Sequence, residues 1–206
     1  MGLYTERVLP HLIQKVCGLH SSAPLRERVC AKAHGDVVEI GFGSGLNLPH
    51  YPSSVRHLEA VEPSDVAWGL SETNRRQAAF TVARSANDAQ RLPFDDASFD
   101  MAISTWTMCT IPDIDAALRE VRRVLKPGAR LSFVEHGLAP DRCVQRWQRR
   151  LEPIQKRMAG GCHLTREFTV LLTTAGFTVD DVDTFYEDGA PKFLAADTLG
   201  SAIANS

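Results

Sequence analysis

The sequence predicts an α/β fold, a doubly wound and mostly parallel sheet with helices on both faces. Three observations predict it. Short apolar runs of strand length alternate along the chain with segments of helical period, the pattern of a parallel sheet with crossover helices. The first apolar run ends in a glycine-rich turn, as strands do where a doubly wound sheet meets its ligand. The chain of 206 residues is 44% apolar and 23% charged, average globular usage and enough for one sizeable core.

The elements follow in order. Leu9, Leu12, Ile13 and Val16 recur at helical spacing, and a second helix is predicted from Pro24 to Ala33, starting near Ser22 or Ala23. Asp36 to Ile40 is a buried first strand. A helical stretch is expected after the glycine turn, then a second strand over Arg56–Val61. A helix over about Asp65–Gln77, a strand at Phe80–Arg84 and a strand at Asp100–Ser104 come next. Ala117, Leu118, Val121, Val124 and Leu125 form one apolar stripe. Asp113 caps that helix and Lys126-Pro127-Gly128 ends it. Leu131–Glu135 reads as the fifth strand. A helix over Asp141–Lys156 is expected to break near Pro153, with Arg142, Arg146, Arg149, Arg150 and Arg157 as a solvated face over a packed stripe of Val144, Trp147, Leu151, Ile154 and Met158. A helix over Thr165–Ala175 and strands over Thr178–Phe185 and Lys192–Thr198 complete the chain.

Several function classes lose ground at once. A net charge of −2 gives no general attraction to nucleic acid. No apolar run approaches the ~20 residues of a spanning helix, and Met1–Arg7 lacks the pattern of a secretion signal. Cysteines stand at 17, 30, 109, 143 and 162, without a C-x-x-C pair, and the histidines are scattered. The expectation is a reducing cytoplasm and no metal.

The segment that carries chemistry is Glu39-Ile40-Gly41-Phe42-Gly43-Ser44-Gly45. The dinucleotide pattern G-x-G-x-x-G would need glycine at position 46, which is Leu46, and no Lys follows these glycines as a P-loop requires. What stands here is E-x-G-x-G-x-G. Glu62 closes the second strand, where a carboxylate can accept both ribose hydroxyls. Asp88 follows the third strand, where it can accept from an exocyclic adenine amine. A ligand with an amino-acid end, a ribose and an adenine fits these strand ends in order.

This ordered set resembles the class I S-adenosylmethionine-dependent methyltransferases. The resemblance spans about Gly35 to Thr198. It rests on the glycine turn, Glu62-Pro63, Asp88-Ala89-x-x-Leu92-Pro93-Phe94, Ser98-Phe99-Asp100 and the block from Leu118 to Gly128. It implies a Rossmann-like seven-stranded sheet whose last strand is antiparallel. Within the class the chain is similar to the methyltransferase-like thiol S-methyltransferases, through Thr107-Met108-Cys109-Thr110, Glu135-His136, Arg146-Trp147-Gln148 with Glu152-Pro153, and Gly161 to Glu167. Those enzymes begin with a hydrophobic anchor, where this chain has a short amphipathic helix.

The resemblance implies one methyltransferase domain over 1–206. Its parts are a helical cap (1–34), a cofactor-binding core (35–137), a substrate-side helical insertion (138–164) and a final helix with a strand pair (165–206). It implies S-adenosyl-L-methionine as cofactor, S-adenosyl-L-homocysteine as product, and a small-molecule acceptor, with a thiol as one choice. Peripheral membrane contact is compatible with it. Cofactor-binding duty is expected of Glu39, Gly41, Phe42, Gly43, Gly45, Asn47, Glu62, Pro63, Asp88, Ala89 and Ser104. Trp106, Cys109, Glu135 and Cys162 are expected in the substrate pocket. His136, at the ligand edge after the fifth strand, is the candidate base. Asn47 is open to either ligand contact or helix capping. Two other readings remain: a module that binds the cofactor without catalysis, and a nicotinamide-dependent oxidoreductase.

Overall fold

The computed structural model describes residues 4–18 and 22–205. Seven strands form one sheet in the order β3-β2-β1-β4-β5-β7-β6. They are β1 (Gly35–Ile40), β2 (Val55–Val61), β3 (Thr81–Ala86), β4 (Phe99–Thr105), β5 (Leu125–His136), β6 (Phe177–Tyr186) and β7 (Ala196–Ala204). The pairs β1–β2, β1–β4, β2–β3 and β4–β5 are parallel, whereas β7 runs antiparallel to both β5 and β6. This is the Rossmann-like sheet with an antiparallel last strand.

Period-two alternation sends neighbouring residues of β1 to opposite faces. Val38 and Ile40 join the larger core, with Leu131 and Phe133 of β5, Leu118 and Val121 of α5 (Ile114–Val124), and Phe168 and Leu172 of α7 (Phe168–Thr174). Val37 joins Met101, Ile103 and Val134 on the other face, under Val29 and Cys30 of α2 (Ala23–Cys30). Helices therefore cover both faces. Because β1 lies between β2 and β4, the chain reverses its winding direction at the carboxyl end of β1, the place where doubly wound sheets bind ligands. The N-cap Asp113 accepts the Ala116 N–H at 2.9 Å, as the sequence predicts.

Several boundaries differ from the sequence reading. After the glycine turn there is only a 3-10 turn, Leu48–His50. Pro49 and Pro52 withhold two backbone donors there. The helix expected over Asp65–Gln77 divides at the buried Ser71 into α3 (Asp65–Leu70) and α4 (Glu72–Gln77); the Ser71 hydroxyl bonds to the Trp68 carbonyl. β5 starts at Leu125, whose backbone already pairs with Phe99. The helix expected from Thr165 starts at Phe168, because the Thr165 N–H and hydroxyl go to Glu152. The final strand is Ala196–Ala204 in place of Lys192–Thr198; Leu194 and Ala195 donate back to the Pro191 carbonyl in a turn.

The helix α6 (Arg142–Met158) passes through Pro153 without a break. The carbonyl that the ring leaves without a donor belongs to Arg149, an exposed residue, where water can satisfy it. The expected packed stripe is also corrected: Trp147, Ile154 and Met158 are exposed. α6 docks instead through the buried Gln148, which donates to the Gly137 carbonyl and accepts the Ala139 N–H, both at 2.9 Å. In α1 (Leu9–Cys17), Leu9 packs inward while Leu12, Ile13 and Val16 face outward. The Tyr4 hydroxyl reaches the Met158 carbonyl at 3.0 Å, so the N-terminal turn meets the end of α6. Among the described residues no helix is long and apolar enough to cross a membrane.

Candidate active site

The glycine turn after β1 is left-handed at Gly41, Gly43 and Gly45. Two of these positions differ in what a side chain would meet. A Cβ on Gly41 would lie 1.9 Å from the Thr107 hydroxyl oxygen, because the loops after β1 and β4 touch. A Cβ on Gly43 would meet nothing within 4 Å. The turn is thus closed on the Thr107 side and open at Gly43, a cradle into which a ligand can settle against backbone.

Glu62 directly follows β2 beside this cradle. Its Oε2 accepts the Gly43 N–H at 2.7 Å and its Oε1 accepts the Ser64 N–H at 2.8 Å. Each oxygen keeps unused acceptor capacity. Burial raises the proton affinity of Glu62, and the two backbone donors oppose that rise. Pro63 is exposed behind it. Asp88, on the loop after β3, is exposed and accepts from the backbone and side-chain nitrogens of Gln90, while Ala89 is buried. Phe42 packs on Trp68 with ring centroids 5.4 Å apart, which braces the turn from below.

Glu39 and Asn47, both expected at the cofactor, bond to each other in a closed network. The Asn47 amide donates to Glu39 Oε1 at 2.8 Å, and the Tyr51 hydroxyl donates to Oε2 at 2.7 Å. Arg26 donates to Asn47 Oδ1 at 2.7 Å and to the Thr105 hydroxyl at 3.0 Å. Burial is the main force on Glu39 and pushes its pKa to about 7, despite the bonds from Tyr51 and Asn47 and the nearby Arg26 charge. Of the two roles open to Asn47, capping is excluded, since its side chain makes no cap bond.

The remaining residues gather behind the loop after β4. Glu135 is fully buried and acts as a staple. Its Oε1 accepts from the Ser104 hydroxyl and from the Thr107 and Met108 N–H groups, and its Oε2 accepts from the Cys109 N–H. Burial raises its proton affinity, and these four donors counter the rise. The Ser104 hydroxyl thus points into the protein. Trp106 sits in the left-handed region at φ 49°, under the Arg26 guanidinium, and donates to Asp197 Oδ2 at 3.0 Å. His136 turns Nδ1 toward the Cys162 sulfur at 3.9 Å and Nε2 toward Asp197 Oδ1 at 3.7 Å. Burial opposes its protonation, yet Cys162 and Asp197 outweigh burial and raise its pKa to about 9. The sulfurs of Cys109 and Cys162 lie 3.6 Å apart.

Arg26, Tyr51, Thr105 and Asp197 escaped the sequence reading, whereas Thr107 enters it only within a motif. Thr105 is the last residue of β4, so the same strand-end logic could have found it. Arg26 and Asp197 carry no local signal, since each enters from a distant part of the chain.

Comparison with known proteins fits this geometry. Residues 38–133 match a family model described as a methyltransferase domain. The rat thiol S-methyltransferase TMT1B is 36% identical over 138 residues, covering 64% of this chain and 55% of that protein. The human thiol S-methyltransferase TMT1A is 32% identical over 149 residues, covering 69% and 59%. A solved S-adenosylmethionine-dependent methyltransferase from Methanosarcina mazei superposes with a TM-score of 0.62 at 25% identity, covering 82% of this chain and 92% of that one. By its sheet and by these matches the chain is similar to S-adenosylmethionine-dependent methyltransferase domains. Within that class the chain is similar to thiol S-methyltransferases, and it spans a little over half the length of those curated relatives.

Proposed function

We propose that this chain binds S-adenosylmethionine across the carboxyl ends of β1 to β4 and transfers its methyl group to a small acceptor, with a thiol as the favoured class. The observation that carries the reading is the open Gly43 position flanked by a carboxylate with spare acceptor capacity. A side chain at Gly43 would occupy the space open to a ligand, and Glu62 can still accept two hydroxyls. Gly41 and Gly45 shape the turn, and Asp88 and Ala89 stand at the adenine end. Glu39, Asn47, Phe42 and Ser104 act by holding the strand ends in place.

Bound S-adenosylmethionine supplies a methyl group on a positively charged sulfur. Displacement at that carbon needs the nucleophile, the methyl carbon and the leaving sulfur in line, so the protein contributes mainly by orientation and exclusion of water. The Glu135 staple fixes the loop that carries Trp106 to Cys109, and the Arg26–Trp106 stack closes one wall. A thiol, with a pKa of ~8.5, already supplies thiolate near neutrality, so this reading needs no base. For an oxygen or nitrogen acceptor His136 is the base to test. The helical cap exposes Leu12 and Ile13 and the substrate-side insertion exposes Trp147, Ile154 and Met158, which suits an apolar acceptor.

Release of S-adenosylhomocysteine measured across thiol, phenol, amine, quinol and lipid acceptors tests this reading. The expected result is turnover with small apolar thiols. Turnover confined to another class moves the acceptor, and cofactor binding with no turnover on any of them favours a binding module.

A further inference from the structure

We propose that Cys109, Cys162 and His136 form a three-ligand site for a thiophilic divalent metal ion of the zinc class. This goes beyond the methyl-transfer reading and does not rest on it. The three donors come from separate places: the loop after β4, the end of β5 and the segment after α6. One donor atom from each lies within 4.8 Å of the others. Bond lengths of about 2.3 Å to sulfur and 2.0–2.1 Å to nitrogen, at a tetrahedral angle, put two sulfurs ~3.8 Å apart and sulfur ~3.5 Å from nitrogen. The Cys109–Cys162 sulfurs are 3.6 Å apart, and Cys162 is 3.9 Å from His136 Nδ1. The remaining edge, from Cys109 to His136, is at most 4.8 Å, so metal binding draws the imidazole toward Cys109.

The surroundings are those of a ligand set. A metal-bound histidine characteristically gives its other ring N–H to a carboxylate. His136 Nε2 faces Asp197 Oδ1 at 3.7 Å, and that oxygen is buried with no hydrogen-bond partner among the described residues. With Nδ1 on the metal, the ring hydrogen sits on Nε2, facing that oxygen. The backbone around the sulfurs is fixed as well. Glu135 holds the Cys109 N–H, and the His163 N–H donates to the Cys109 carbonyl at 2.9 Å, tying the two cysteine segments together. Both cysteines are buried. Two thiolates, a neutral imidazole and a divalent cation sum to zero charge, which suits that burial.

Two thiolates and a neutral imidazole must form, so binding releases to solvent whatever protons the two sulfurs and His136 Nδ1 carry beforehand. Cobalt(II) added to the reduced, chelator-treated full chain tests the site. The expected result is one ion per chain, with thiolate-to-cobalt charge-transfer bands and the strong visible bands of a tetrahedral centre. Cys162→Ser and Cys109→Ser should lose the charge-transfer intensity that each sulfur contributes, whereas Cys143→Ser, at an exposed cysteine, should leave the spectrum unchanged. Asp197→Asn should weaken zinc affinity about 10- to 100-fold in competition with a chelator. Circular dichroism checks each variant, and His136→Gln, which keeps both sulfurs, replaces any serine variant that fails to fold. The proposal is overturned if the reduced chain binds no cobalt or zinc, or if the spectrum is the same in a folded Cys162→Ser or His136→Gln variant. Recovery of Cys109 and Cys162 as a disulfide, with no metal uptake after reduction, also overturns it.

Discussion

The Glu62 carboxylate accepts the Gly43 N–H at 2.7 Å, so the end of β2 holds the glycine turn that leaves β1. One side chain thereby sets the shape of the cradle and presents its spare lone pairs to a ligand. Replacing Glu62 by Gln keeps the size and removes the charge. A hydrogen bond to a charged group contributes about 1.5–3 kcal/mol, so S-adenosylhomocysteine affinity should fall about 10- to 100-fold. Titration calorimetry checks this, with a melting curve to show that the fold persists. Unchanged affinity would remove Glu62 from the ligand site.

Gly41 and Gly43 should respond differently to alanine. Both are left-handed, which costs an alanine about 1–2 kcal/mol. Only at Gly41 does the added carbon also strike Thr107. Gly41→Ala is expected to lose stability beyond that cost, and Gly43→Ala only that cost. Gly43→Ala should nevertheless abolish cofactor binding, because its methyl projects into ligand space. Urea unfolding and calorimetry on the two variants separate the effects.

Arg26 should be a stability residue of large effect. It is buried and donates to Asn47, Thr105 and the Cys17 carbonyl, so its removal leaves several polar groups unsatisfied and frees the end of α1. Arg26→Ala is expected to cost about 2–4 kcal/mol in urea unfolding. Arg26→Lys should recover only part of it, because one ammonium cannot reproduce the fork of the guanidinium. A loss under 0.5 kcal/mol, the ordinary surface range, would contradict this role.

Glu39 should leave a mark on the pH dependence of stability. Burial raises its pKa from 4.5 to about 7 in the folded chain, so the folded state holds this proton more tightly than the unfolded state. Its contribution favours folding below about pH 4.5 and is lost as pH rises through about 7. Glu39→Gln removes that dependence. The stability of the variant relative to wild type should therefore increase between these limits, by at most about 1.4 kcal/mol per pH unit. Denaturant unfolding at several pH values checks the slope difference, and a constant difference would contradict it.

Much of the fold could be read because each strand carries its own period and each turn its own breaker. The glycines of 41–45 and Glu62 are informative because backbone conformation and strand-end position are local properties. Boundaries failed where a long-range partner decided them, as when Glu152 takes the Thr165 N–H or Phe99 pairs with Leu125. The exposed Trp147 and Ile154 show the limit of periodicity, which marks an apolar face without saying what covers it. The site behind β4 was legible in part. Cys109, His136 and Cys162 lack metal-ligand spacing in the chain, and only the sheet brings them together. Arg26 and Asp197 were invisible for the same reason.

Calorimetric titration of the full chain with S-adenosylhomocysteine is the most direct test of the central claim. Saturable binding of one ligand per chain, lost in a folded Gly43→Ala variant, is the predicted result. Absence of binding by S-adenosylhomocysteine and by S-adenosylmethionine, in a chain shown to be folded, would contradict it.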